Sequence, residues 1–229
     1  FEDYYVLAER FQGLTQFRII SRNTGNERLI DFRESTYSAK IHSNPDPHST
    51  VLRYSYSSLT TPESIYEIDL SNGRSILLKT DHIVGNFDPS NYRSERFFFK
   101  ARDGAEVPIS LVYRKDSFSP GLNPGYIYAY GAYGYPTEAT FQSNRLSLLD
   151  RGVVFAIIHV RGGSEMGRHW YDEGRLLRKK NTFNDFIDGT KALVERKYMS
   201  YEKVFAVGSS AGGLLMGVVA NEAPELYLG

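Results

Sequence analysis

The sequence predicts an all-β first third followed, from about residue 85, by an α/β domain with a parallel-sheet core. Three observations carry this. Hairpin signals recur around Gly25 and Gly73 in the first part. After "NFDPSNYRSE" short apolar runs alternate with segments of helical period. Strand, helix, strand, helix in that order is the pattern of a sheet with parallel neighbours.

The elements follow in order. Residues 1–84 open with the strand-like "FEDYYVLAER". "FRIISRNTGNERLIDF" places two strands around Asn23-Thr24-Gly25-Asn26, and "SIYEIDLSNGRSILLKT" places two more around Asn72-Gly73, a pair that tolerates positive φ. "LRYSYSSLTTP" supplies a strand between them, and 17 Tyr and 14 Phe favour strands throughout. The repeated hairpin fits propeller blades and equally an antiparallel sandwich. In residues 85–229, "RFFFKARDGAEVPISLVYRKD" is a hairpin turning at Asp103-Gly104, and "GYIYAYG" and "GVVFAIIHV" are short strands, the second apolar on both faces. "NTFNDFIDGTKALVERKYM" is a helix with Phe183, Phe186, Ile187, Thr190 and Val194 on one stripe and Asn181 or Thr182 as its cap. "KVFAVG" is the next buried strand, and residues 211–220 the next helix. "RLLRKK" at 175–180 reads as a solvated helical face.

Composition narrows the function. Twenty-seven basic and twenty-seven acidic residues cancel, which gives no global field for nucleic acid or a membrane surface. No apolar run approaches a bilayer span, and no signal-peptide pattern opens the chain. Cysteine is absent, which excludes disulfides and thiolate metal sites and fits a reducing, cytoplasmic compartment. No metal-ligand spacing and no phosphate loop is present, so neither a cofactor nor a metal is expected. The chain starts inside a strand without Met and stops in mid-pattern at "APELYLG", and it reads as a piece of a longer protein.

One motif carries chemistry. "VFAVGSSAGGLLMGVVA" contains Gly208-Ser209-Ser210-Ala211-Gly212, a G-x-S-x-G sequence between an apolar strand and a small-residue helix. A nucleophilic serine sits there on a tight strand-to-helix turn, where larger flanking side chains collide. Ser210 has glycine at both −2 and +2, and Ser209 does not. The backbone N–H of Ala211 is the expected first oxyanion donor. No H-G-G-G loop exists for the second, and "YAYGAYGYP" offers Tyr130 or Tyr133 instead, with Tyr130 favoured because the chain turns at Gly131. All five histidines (42, 48, 82, 159 and 169) precede Ser210, whereas α/β-hydrolases run Ser, acid, His. The base and its carboxylate are therefore expected beyond Gly229. In "RGGSE", Arg161 and Glu165 read either as an active-site loop or, preferably, as an internal ion pair that fixes a tight turn.

"GSSAGGLLMG", "HVRGGSEMGRHWYDEG", "KKNTFNDFIDG", "YAYGAYGYP" and "NYRSERFFFKARDG" together resemble the prolyl oligopeptidase family of serine peptidases, nearest its oligopeptidase B branch. The resemblance runs over essentially the whole chain. It implies a seven-bladed β-propeller (residues 1–84 being its last part) and an α/β-hydrolase domain begun by residues 85–229. It implies cleavage of short peptides after Arg or Lys, with Ser210 as nucleophile and Ala211 and Tyr130 completing the oxyanion hole. The family carries acids in the loop after the tyrosine; Glu138 matches one, but Thr140 stands where a second is usual. Prolyl or acylaminoacyl selectivity, a non-catalytic peptide-binding relative and a free-standing interaction module are the alternatives.

Overall fold

Two-residue alternation builds the first sheets. In Leu14–Ser21 it is Phe17 and Ile19 that are buried, as expected for a strand with one face on a core. The structure is a computed structural model and describes residues 1–229. It divides into two units, residues 1–87 with 139–141 and residues 88–138 with 142–229.

In the first unit, β1 (Tyr4–Phe11), β2 (Leu14–Ser21) and β3 (Glu27–Leu29) form a three-stranded antiparallel sheet. A second sheet runs in chain order through β4 (Tyr37–Ile41), β5 (Val51–Ser58), β6 (Ser64–Asp69) and β7 (Ser75–Thr80), again antiparallel. Both expected hairpins are present. The β6–β7 turn requires its glycine: Gly73 has φ +79°, and a Cβ there would lie 2.4 Å from the Arg28 guanidinium. That guanidinium donates to the carbonyls of Asp69 and Leu70 at 3.1 and 2.8 Å, tying one sheet to the turn of the other. Between the sheets Phe32 packs against Phe17, Tyr37, Tyr54 and Tyr56, with ring centroids 4.8–5.8 Å apart. β4 is not evident in the sequence. With it the second sheet becomes a four-stranded up-and-down meander, the form of a propeller blade.

The second unit holds one five-stranded sheet. Its strands are β8 (Tyr92–Lys100), β9 (Glu106–Arg114), β10 (Gly125–Tyr128), β11 (Val154–Ile158) and β12 (Val204–Val207), in the spatial order β12-β10-β11-β9-β8. β10 is parallel to β11 and β12, while β9 is antiparallel to β8 and β11, so the expected parallel core carries an antiparallel hairpin at one side. All five residues of β11 are buried. β12 lies at the edge, and Phe205 is 36% exposed, so the expectation of a fully buried strand holds only for Val204. The helices are α1 (Leu146–Leu149), α2 (Arg168–Asp172), α3 (Lys180–Glu195) and α4 (Ala211–Glu222).

α3 buries Phe183, Phe186, Ile187 and Thr190, and the stripe continues through Leu193 rather than the expected Val194. Neither Asn181 nor Thr182 caps it; Lys179 occupies that position, without a side-chain capping bond. Both expected caps are committed elsewhere: Asn181 Nδ2 donates to the Glu173 carbonyl at 2.9 Å and Thr182 Oγ1 to the Arg161 carbonyl at 2.6 Å. Tertiary acceptors have outcompeted the helix end for these side chains. No helix is long and apolar enough to cross a membrane.

Candidate active site

β12 ends at Val207, α4 begins at Ala211, and the three residues between make the turn. Ser210 takes φ 53° and ψ −117°, a backbone state that costs a residue with a side chain about 1–3 kcal/mol. The flanking glycines are required by backbone contacts. A Cβ on Gly208 would lie 2.4 Å from the Gly212 carbonyl oxygen, and one on Gly212 would lie 2.9 Å from the Ala129 carbonyl oxygen. Ser210 is exposed, and its hydroxyl does not cap the helix it precedes. Ser209 is also exposed, but its backbone carries none of this strain.

The register places Tyr128 of β10 beside Val207 of β12, so Tyr130 and Ser210 leave neighbouring strand ends on the same side of the sheet. The Cβ position of Gly212 lies 3.7 Å from the Tyr130 Cα, which brings the first turn of α4 against the Tyr130 backbone. The half-buried Tyr130 ring rests edge-on against Tyr135 at 5.7 Å and near Tyr133 at 6.5 Å, and its hydroxyl makes no hydrogen bond within the chain. Ala211 opens α4; the N–H groups of Gly212 and Gly213 donate to the Ser209 and Ser210 carbonyls at 2.7 and 2.9 Å, so the Ala211 N–H is the one at the turn left to donate outward. Ser210, Ala211 and Tyr130 thus gather at the carboxyl ends of β12 and β10. Tyr133 is 78% exposed with φ 58° on the rim of a cavity of about 270 Å³, which Ala211 and Leu214 also line.

Below Tyr130 the chain turns through a packed group of glycines. Gly131 has φ +64°, and a Cβ there would meet the Thr182 and Val160 methyl groups at 2.5 Å. A Cβ on Gly162 would lie 2.1 Å from the Gly131 carbonyl oxygen, and one on Gly174 2.1 Å from the Gly162 nitrogen. The Gly131 carbonyl accepts from Lys179 Nζ, which also donates to Thr182 Oγ1 at 3.2 Å. The run 175–180 is therefore not a uniformly solvated helical face. Arg175 and Arg178 pair with Asp172 and Glu173 at its surface, whereas the Lys179 amine turns inward and burial lowers its pKa. Lys179 does not stand out in the sequence because Arg178 and Lys180 beside it are charged and exposed.

The expected internal pairing of "RGGSE" forms with different partners. The buried Arg161 side chain binds Asp185 at 2.6 and 2.9 Å and Asp103 at 2.6 Å, and does not pair with Glu165. Its guanidinium holds the Asp103 carboxyl below the usual carboxylate range. Glu165 instead accepts from the Thr137 N–H at 2.8 Å and approaches His159 Nδ1 at 4.0 Å. His159 Nε2 and Ser110 Oγ share a hydrogen bond of 2.8 Å. This is a Ser–His–Glu series in outline, but Ser110, His159 and Glu165 are 0, 6 and 3% exposed, which closes it to a substrate. His169 is exposed and packs against Trp170. His48 pairs with Glu2, and His42 and His82 are exposed; these three belong to the first unit. Glu138 is half-buried one residue after Thr137, and Thr140 lies in the short stretch 139–141 grouped with the first unit. No group of three His, Asp or Glu is arranged to hold a metal.

Comparison with known proteins bears on this geometry. Residues 1–81 match the family description "Prolyl oligopeptidase, N-terminal beta-propeller domain", and residues 139–229 match "Prolyl oligopeptidase family". The chain belongs to the prolyl oligopeptidase family. Its fold is accordingly propeller structure followed by the α/β-hydrolase domain of that family. The chain is 47% identical over 228 residues to dipeptidyl aminopeptidase BI of Pseudoxanthomonas mexicana, covering 99% of this chain and 31% of that protein. It is 38% identical over 227 residues to protease 2 of Moraxella lacunata, covering 99% and 33% respectively. Among solved structures, oligopeptidase B from Leishmania major superposes with a TM-score of 0.88 at 35% identity, covering 99% of this chain and 33% of that one. The chain thus spans about a third of the length of these prolyl oligopeptidase family relatives.

Proposed function

We propose that the chain carries the nucleophile and oxyanion hole of a serine oligopeptidase that cleaves short peptides on the carboxyl side of Arg or Lys. The observation that carries this reading is the strained Ser210 turn, which presents an exposed hydroxyl beside the Tyr130 strand end. In this reading Ser210 Oγ attacks the scissile carbonyl and forms an acyl-enzyme. The Ala211 N–H and the Tyr130 hydroxyl donate to the oxygen as it gains charge. A histidine base takes the Ser210 proton and returns it to the leaving amine, and water then releases the acid product.

The base and its carboxylate come, in this proposal, from residues outside the 229. The bond of His159 to Ser110 and the packing of His169 on Trp170 support this, since these are the two histidines of the same unit. The choice of Arg or Lys rests on the resemblance to the oligopeptidase B branch, and Glu138 is an acid in the loop after Tyr130 that would meet a basic side chain elsewhere on the peptide. A second reading is release of dipeptides from free amino termini, favoured by the 47% identity to a dipeptidyl aminopeptidase. Hydrolysis of matched Arg, Lys, Pro and acetyl-Ala arylamides by the full-length gene product, with a Ser210→Ala control, tests the proposal. Cleavage after Arg and Lys that vanishes in the control supports it, and a preference for Pro or acetyl-Ala refutes the selectivity. Loss of cleavage when a dipeptidyl-Arg substrate is amino-terminally blocked selects the second reading.

A further inference from the structure

Lys179 is held where three features disfavour its charge, offset by a cation–π contact of its Nζ with the Phe183 ring at 5.8 Å. The lysine is half-buried. No carboxylate lies within ion-pair distance of it, and its hydrogen-bond acceptors are the neutral oxygens of Gly131 and Thr182. It also occupies the N-cap position of the 16-residue α3, the end at which the helix dipole repels a cation. Even half-buried, an ammonium with no counter-charge is costly to keep for stability alone. Its contacts indicate what it is kept for. Gly131 follows Tyr130 directly, and the Tyr130 side chain has only ring contacts within the chain to steady it. Its aim therefore depends on the backbone of the turn. That turn is closed by the Gly162 backbone on one side of the Gly131 carbonyl and gripped by Lys179 Nζ. Lys179 also lines the cavity that Ala211 borders.

We infer that Lys179 is a positioning residue of the oxyanion hole: by holding the Gly131 carbonyl it fixes the turn that aims the Tyr130 hydroxyl at the reacting oxygen. The inference rests on the proposed roles of Ser210 and Tyr130. Removing an oxyanion donor lowers kcat by about 10²–10³-fold, and a residue that acts through one donor loses no more than that.

The test is a double-mutant cycle of Tyr130→Phe and Lys179→Met in the full-length gene product. It reads kcat, KM, and inhibition by a substrate-derived peptide aldehyde, whose adduct mimics the tetrahedral intermediate. Lys179→Met is expected to lower kcat about 10–100-fold, leave KM within about twofold, and weaken the aldehyde in parallel. In the Tyr130→Phe background the same change is expected to cost less than about threefold, because its target is already gone. An equal factor in both backgrounds, or an effect on KM or thermal midpoint alone, overturns the inference. Where the Met variant does not fold, Lys179→Arg, which keeps the charge but shifts the donor, carries the same cycle. Cleavage that survives Ser210→Ala refutes the underlying reading, whereas a dead Ser210→Ala with an additive cycle refutes only the role of Lys179.

Discussion

Ser210 is recognisable in the sequence because the turn that presents it leaves a chemical trace. Glycine is needed at 208 and 212 by contacts with backbone oxygens, which have no freedom to move aside. Gly212→Ala is accordingly expected to abolish Ser210-dependent hydrolysis and lower stability by about 1–3 kcal/mol, read by arylamide assay and denaturant unfolding. Lys179 left no such trace, since a lysine pointing inward and one pointing outward look alike in "RLLRKK". The partners of Arg161 were equally hidden: Asp103 and Asp185 are 58 and 24 residues away, and only the fold brings them to it. This pairing makes a pH prediction. Because Arg161 lowers the Asp103 pKa, the pair stabilises the fold above the unfolded-state value of about 4 and loses that contribution as pH falls through the lowered value. Thermal midpoints from pH 7 to 3 should therefore fall more steeply for the wild type than for Asp103→Asn, which starts lower and converges with it in acid.

At the scale of elements, long periodic segments were legible and their edges were not. α3 follows its apolar stripe, yet Leu193 replaces Val194 in the buried face, and both polar residues expected at its start bond to other segments. The stripe packs on β11, the strand whose uninterrupted apolar run already marked it as covered on both faces. Phe186 is fully buried in that layer. Phe186→Ala is expected to destabilise the full-length protein by about 3–5 kcal/mol, checked by urea unfolding of the domain that carries it. β4 was missed for a physical reason: "YSAKI" is short, and its cross-strand pairing with β5, more than its own alternation, makes it a strand. Without it two hairpins are compatible with a sandwich. With it the sheet that holds the second hairpin has the four strands of a propeller blade.

For the whole molecule, the order β12-β10-β11-β9-β8 puts β10 between the two strands parallel to it. The segments leaving β10, β11 and β12 carry Tyr130 with Gly131, then Gly162 and Gly174 with Lys179, and Ser210 in turn. One parallel core thus assembles the proposed nucleophile and oxyanion donors, because ligands gather at the carboxyl ends of such strands. The sequence order of these segments was readable; that their backbones interlock through three glycines was not, since each glycine is explained only by a residue distant in the chain. The proposed chemistry depends on which serine is the nucleophile. The most direct measurement is fluorophosphonate labelling of the full-length gene product, with the adduct located by peptide fragmentation. A single adduct on Ser210, absent from Ser210→Ala, is the expected result. An adduct on Ser209 or Ser110, or none on the folded protein, contradicts it.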